Sequence, residues 1–226
     1  MWKDLSVWQY QQIYNVLNKK DKDATDLDIN VQLVAIVNNM TEMQIDSLPL
    51  DKYTELSRSI AFLNEPIVGK PVKIIKISPT KAYRVIYDIS KMPFARYVES
   101  KVFSNDLYGN LHKLAATMVI PQKRSFGMWF DLPYDASKHE EYANDMLEAK
   151  FLDVYNSLVF FYQVYRNWIE VSQDFMANRL IQTGMQEQEA KGVVVNLLNI
   201  LDGSIAPNLL PTMKIARLRK RMRSQQ

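Results

Sequence analysis

His139, Glu140 and Glu141 stand side by side in the sequence, and acid–imidazole neighbours invite a metal or general-base reading. A zinc-protease pattern needs histidines four residues apart with a glutamate between them, so that both ligands share a helix face. Only one histidine is present here, and His139 and Glu140 point about 100° apart on a helix. The trio therefore reads as a solvated or salt-bridged helix start whose acids suit the helix dipole. Asp145, Glu148 and Asp153 would have to converge with another acid for acid–base or Mg²⁺ work; their spacing groups the first pair and turns Asp153 away. His112 follows Leu111 in an apolar stretch and reads as a partly buried, hydrogen-bonded histidine, since no serine or cysteine sits in an elbow context. Gly69, Lys70 and Gly127 stand apart, so neither a phosphate-cradling loop nor a dinucleotide fingerprint is present. The chain has no cysteine and two histidines, which excludes disulfide staples and thiolate or histidine-rich metal sites. The expectation is a protein that is not an enzyme and uses no cofactor and no metal.

The aromatics offer binding chemistry instead. Trp129 and Phe130, and the series Tyr155, Tyr162, Tyr165 and Trp168, would stack on nucleotide bases or anchor a protein interface. Base-binding surfaces interleave Arg and Lys among the rings, yet Arg166 is the sole basic residue between Phe151 and Asn178. Core or interface packing is the favoured reading. Charge is concentrated elsewhere: Lys214, Arg217, Arg219, Lys220, Arg221 and Arg223 fall within 214–226 with no acid. Taking these six positive charges from the net +3 leaves −3 for the body. The tail suits an acidic protein surface, the phosphates of a nucleic acid, or solubility alone.

The elements that hold these residues read as mostly helical. Glu140 to Met176 contains no proline or glycine, and Tyr155, Leu158, Tyr162, Tyr165, Ile169, Ser172 and Met176 recur at spacings of three and four. This predicts one continuous long helix, ending by Gly184, with Ser137 as its cap and Glu140 as the cap's partner. Before it, Ser6 with Gln9 and Thr41 with Gln44 spell capping boxes. Helices are expected from Ser6 to about Asn18, from Asp26 or Asp28 to Asn38-Asn39, briefly after Thr41, and from Leu50 to Leu63 with Leu50, Tyr53, Leu56, Ile60 and Leu63 inward. Val72–Ile77 and Ala82–Asp88, split by Ser78-Pro79-Thr80, predict an antiparallel hairpin. Lys91 to Val102 settles on no period. Leu107 to Met118 carries a helical stripe, Lys123–Phe130 reads as a loop or short strand, and Glu187–Leu201 as the last helix, with Gly203 beyond its cap. The expected fold class is mainly α with a small β-hairpin (α+β), organised around a long central helix. The expected parts are a helical module over 1–64, a hairpin and long-helix module over 65–213, and the basic tail over 214–226. The opening MWKDLSVWQY lacks the basic and then apolar order of a signal peptide, so none is expected, and no membrane span is expected, since no apolar run is long enough.

The stretches SVWQYQQIYNVL and LDINVQLVAIVNNMTEMQIDSLPLDKYTELSRSIAFL resemble the N-terminal part of phage tail-assembly chaperone-like proteins, with the LPLxxY helix closing on FL. NLHKLAATMVIPQK and YDASKHEEYANDMLEAKFLDVYNSLVFFYQVY look like proteins encoded near the head–tail genes of crAss-like gut podoviruses. The resemblance implies a protein that works on phage structural proteins, either as a virion component of the portal, ring, tail or internal cargo region or as a tail-assembly chaperone absent from the mature particle. It also implies a homo-oligomer or ring, located in the virion and, during assembly, in the host cytoplasm. The basic tail has no counterpart in the chaperone pattern; it favours a component retained near packaged DNA or an acidic protein channel.

Overall fold

Hydroxyl side chains close the first turns of the N-terminal helices. In the computed structural model, which describes residues 1–18, 24–88, 96, 100, 103 and 106–202 (the backbone alone for 165–174 and 195–202), Ser6 Oγ accepts from the Gln9 amide at 3.1 Å. The Gln9 side chain accepts in return from the Ser6 amide at 2.9 Å. Helix α1 (Val7–Asn18) thus opens on the box its sequence spells. Thr41 and Gln44 form the same box before the short helix α3 (Glu42–Asp46). Helix α2 (Asp26–Asn38) is capped by Thr25, with Asp28 as the reciprocal partner, so neither acid is itself the cap. It ends at Asn39, whose φ of 54° is left-handed. Leu50–Leu63 is not one helix: α4 (Leu50–Ser57) passes into a 3-10 run over Arg58–Asn64. Leu50 is exposed, while Tyr53, Leu56 and Ile60 pack on Val34, Ala35 and Ile45.

The hairpin expected around Ser78–Thr80 is present as strands β1 (Ile74–Lys76) and β2 (Lys81–Val85), antiparallel with Ile75 opposite Tyr83. It does not stand alone. Helix α5 (Leu111–Thr117) leads into β3 (Val119–Ser125), and β4 (Met128–Asp131) returns beside it. The sheet is antiparallel with order β1-β2-β3-β4. The class is therefore mainly α with a small antiparallel sheet, larger than a hairpin. Ile75, Tyr83 and Val119 of the sheet are buried, as are Leu111 and Leu114 of α5.

The continuous helix expected from Glu140 is not formed. Helix α6 (His139–Glu148) stops at Ala149, which is extended at φ −64° and ψ 153°, and helix α7 (Phe151–Gln182) begins after it. The cause is tertiary. The Val7 amide donates to the Ala149 carbonyl at 3.0 Å and the Phe151 amide to the Leu5 carbonyl at 2.9 Å, so Ser6 and Lys150 pair as an isolated antiparallel bridge. Phe151 is fully buried and stacks on Tyr10 with ring centroids 3.8 Å apart. Burying such a ring contributes about 2–3 kcal/mol, and the two cross-links replace backbone bonds that a continuous helix would have made. Ser137 does not cap α6 either. Its amide and hydroxyl both donate to Asp135, which caps a 3-10 turn over Ala136–Lys138.

Two compact units divide the chain, Met1–Phe175 and Met176–Gln226. The second contains the end of α7, the left-handed Gly184 (φ 98°) where that helix has stopped, and α8 (Glu187–Asp202). Gly203 and the segment Lys91–Phe94 lie outside the described residues, as does the rest of Lys91–Val102 apart from Arg96 and Ser100. No described helix is long and apolar enough to cross a membrane.

Candidate functional site

β3 and β4 are joined by Phe126 and Gly127, both at positive φ (50° and 79°), with Ser125 opposite Met128. Positive φ at both central residues of a two-residue loop is the pattern of a type I′ turn, whose twist matches that of the strands. Glycine accepts this backbone freely. Phenylalanine does not, and the left-handed region costs a side-chain-bearing residue about 1–2 kcal/mol. Phe126 is also 98% exposed. Along β4 and just past it, Met128, Phe130 and Leu132 alternate and are 60%, 48% and 42% exposed. With period two, they share one side of the hairpin. Lys123, directly opposite Phe130, lies on that same side.

The other side of the hairpin is held by charge. Arg84 grips Asp131 through Nε (3.1 and 2.9 Å) and Nη2 (2.7 Å), and Gln122 Nε2 adds 2.8 Å. The Arg84 hydrogen bonds, ahead of the Gln122 bond, hold the Asp131 carboxyl below the usual carboxylate range. β4 is thereby tied to β2 across β3. Trp129 is half-buried there, with the Arg124 guanidinium 6.0 Å from its ring. Pro121 sets the end of β4: its carbonyl accepts from the Leu132 amide at 2.8 Å, but it has no N–H to return, so the ladder stops.

Toward α6 the apolar side of the hairpin descends into an open cleft of about 520 Å³, lined among others by Lys81, Tyr83, Leu132, Lys138, Glu141 and Tyr142. Lys81 Nζ lies 2.5 Å from Asp145 and 3.5 Å from Glu141, and the Tyr83 hydroxyl donates to Asp145. Burial pushes Lys81 down, but the Asp145 hydrogen bond and charge, with Glu141, outweigh it and leave the ammonium above its ordinary value. Burial first, then Asp145, pushes the Tyr83 phenol up. Each of these groups is satisfied by a neighbour, as in a clamp fastening α6 to the sheet. Neither histidine lines the cleft. His112 Nδ1 meets the Gln11 side chain at 3.0 Å, and burial lowers its pKa; His139 stacks on Phe103 and meets the Tyr134 hydroxyl at 3.4 Å. Glu148 is exposed and Asp153, its pKa raised by burial, is also outside the cleft lining.

Of the residues singled out in the sequence, Tyr155 is half-buried against Phe151 with ring centroids 5.3 Å apart. Tyr162 is buried with its hydroxyl unpartnered, so it serves the interior rather than an exposed interface. The side chains of Tyr165 and Trp168, and the whole of Lys214, Arg217, Arg219, Lys220, Arg221 and Arg223, lie outside the described residues. Phe126, Met128 and Leu132 were not among the sequence candidates, although Gly127 followed by alternating Met128, Phe130 and Leu132 is a hairpin signal. Compared with protein-family models, curated proteins and solved structures, the chain has no significant match.

Proposed function

We propose that this chain is a non-enzymatic component of a phage particle, in its portal, tail or internal region, that works by binding other structural proteins of the particle. The supporting observation is Phe126, a large apolar side chain that is both fully exposed and held in a left-handed backbone. An isolated domain gains nothing from either feature. Burying the ring against a partner returns about 2–3 kcal/mol, more than the backbone costs, and Met128, Phe130 and Leu132 extend the same surface. Exposed apolar clusters of this kind mark interaction sites. The phage setting rests on the resemblance of SVWQYQQIYNVL and the stretches after it to head–tail-region proteins. In this reading α7 is the axis of the assembled form, copies are arranged as a ring or closed oligomer, and the protein passes from the host cytoplasm into the virion.

The test is quantitative mass spectrometry of purified mature particles carrying either the native chain or Phe126→Asn. A fixed copy number that collapses in the variant is expected. Absence of the native chain from particles, with abundance in infected-cell extract, would replace this reading with that of a tail-assembly chaperone. The basic tail supports a second reading, contact with packaged DNA. It predicts DNA binding that weakens steeply with salt and disappears when 214–226 is removed.

A further inference from the structure

The backbone of β4 has one side bonded to β3 and another that, among the described residues, pairs with nothing. Leu132 turns its amide inward to Pro121. Antiparallel pairing alternates, so Phe130 and Met128 also bond inward while Trp129 and Asp131 turn N–H and C=O outward. The opposite edge of the sheet is guarded: β1 is bordered by Pro71 and Lys73 and contains Lys76, the lysines and proline that natural edges use against pairing. β4, reading Met-Trp-Phe-Asp, has no such residue, and its one charge is already held by Arg84.

We propose that the outer edge of β4 takes an extended segment of another protein as an added strand, apolar at alternate positions and carrying a carboxylate. This rests on the hairpin being the docking surface and names what docks there. Backbone pairing with Trp129 and Asp131 supplies the register, and alternate side chains of the segment lie beside Met128, Phe130 and Leu132. Charge selects the occupant. Lys123 lies on the apolar side, Arg124 on the other, and among the described residues neither meets a carboxylate; Arg124 reaches only the Pro79 carbonyl, at 3.4 Å, and the Trp129 ring. An acidic segment complements this pair. A second copy of the hairpin would bring Lys123 and Arg124 toward their own like charges.

A random twelve-residue peptide library panned against the full chain tests the proposal. The expected consensus has apolar residues at every second position and at least one Asp or Glu. The synthesised consensus peptide should slow hydrogen exchange at the Trp129 and Asp131 amides and bind about tenfold more weakly to Lys123→Glu. Lys123 is exposed and stands opposite Lys81 in the ladder, so that variant, which sets opposite charges there, should melt no lower than the native chain. No enriched motif, a basic motif, or binding that leaves both amides unprotected overturns the proposal. So does a concentration-dependent dimer that protects those amides without peptide, since the occupant is then a second copy. If panning fails while Phe126→Asn still abolishes incorporation into particles, strand addition is wrong and the docking role stands.

Discussion

Phe126 places a stability cost where a partner would recover it. Phe126→Asn converts the turn to Asn-Gly, the pair best suited to positive φ at both positions. The variant should raise the midpoint of urea unfolding, by about 1 kcal/mol of stability; a lowered midpoint would show that the ring packs on its own fold and would remove the argument for docking. The clamp at the cleft titrates differently. Lys81 and Tyr83 both have pKa values raised on folding, so their contribution is complete below the ordinary values of 10.5 and 10.0 and is lost as pH rises through the folded values. Asp131 is lowered, so its contribution is present above 3.8 and lost as pH falls below it. Thermal melts across pH should therefore decline at both ends, and Asp145→Asn should blunt the alkaline decline. An unchanged alkaline limb would mean the clamp does not stabilise the fold.

At the scale of elements, the junction of α6 and α7 matters most. Phe151→Ala removes a fully buried ring stacked on Tyr10 and should cost about 3–5 kcal/mol. Hydrogen exchange should report where: the Val7 and Phe151 amides, which bridge the two segments, should lose protection together. Protection lost only in α7 would mean the bridge is held by something other than the ring. This junction also shows what sequence reading reaches. The Ser6/Gln9 and Thr41/Gln44 boxes were legible because each is closed within four residues of chain. The break at Ala149 was not, because Glu-Ala-Lys-Phe has no helix-breaking residue and the competing partner is Leu5–Val7, far away in sequence. The partners of Asp145 were hidden for the same reason: it meets Lys81 and Tyr83 only once the sheet is assembled. β3 and β4 were missed as a pair since Pro121 and Lys123-Arg124 interrupt the alternation that would have announced β3, and Phe126 is an unlikely turn residue.

For the whole molecule, charge is divided along the chain rather than spread. Deleting 214–226 changes the net charge from +3 to −3, and earlier elution from a cation-exchange column should follow. Retention equal to that of the full chain would show that the tail's charge does not govern binding to the column.

The bridge between Leu5–Val7 and Ala149–Phe151 bears on how the chain is made. It closes a loop of nearly the whole first unit, and contacts of such long range slow folding because the closure entropy must be met before they reward it. On the ribosome, Leu5, Val7 and Tyr10 emerge well before Phe151, against which Tyr10 is stacked. α1 can pack on α2 early, but Tyr10 must wait without Phe151 until translation has passed the cleft, the sheet and α6.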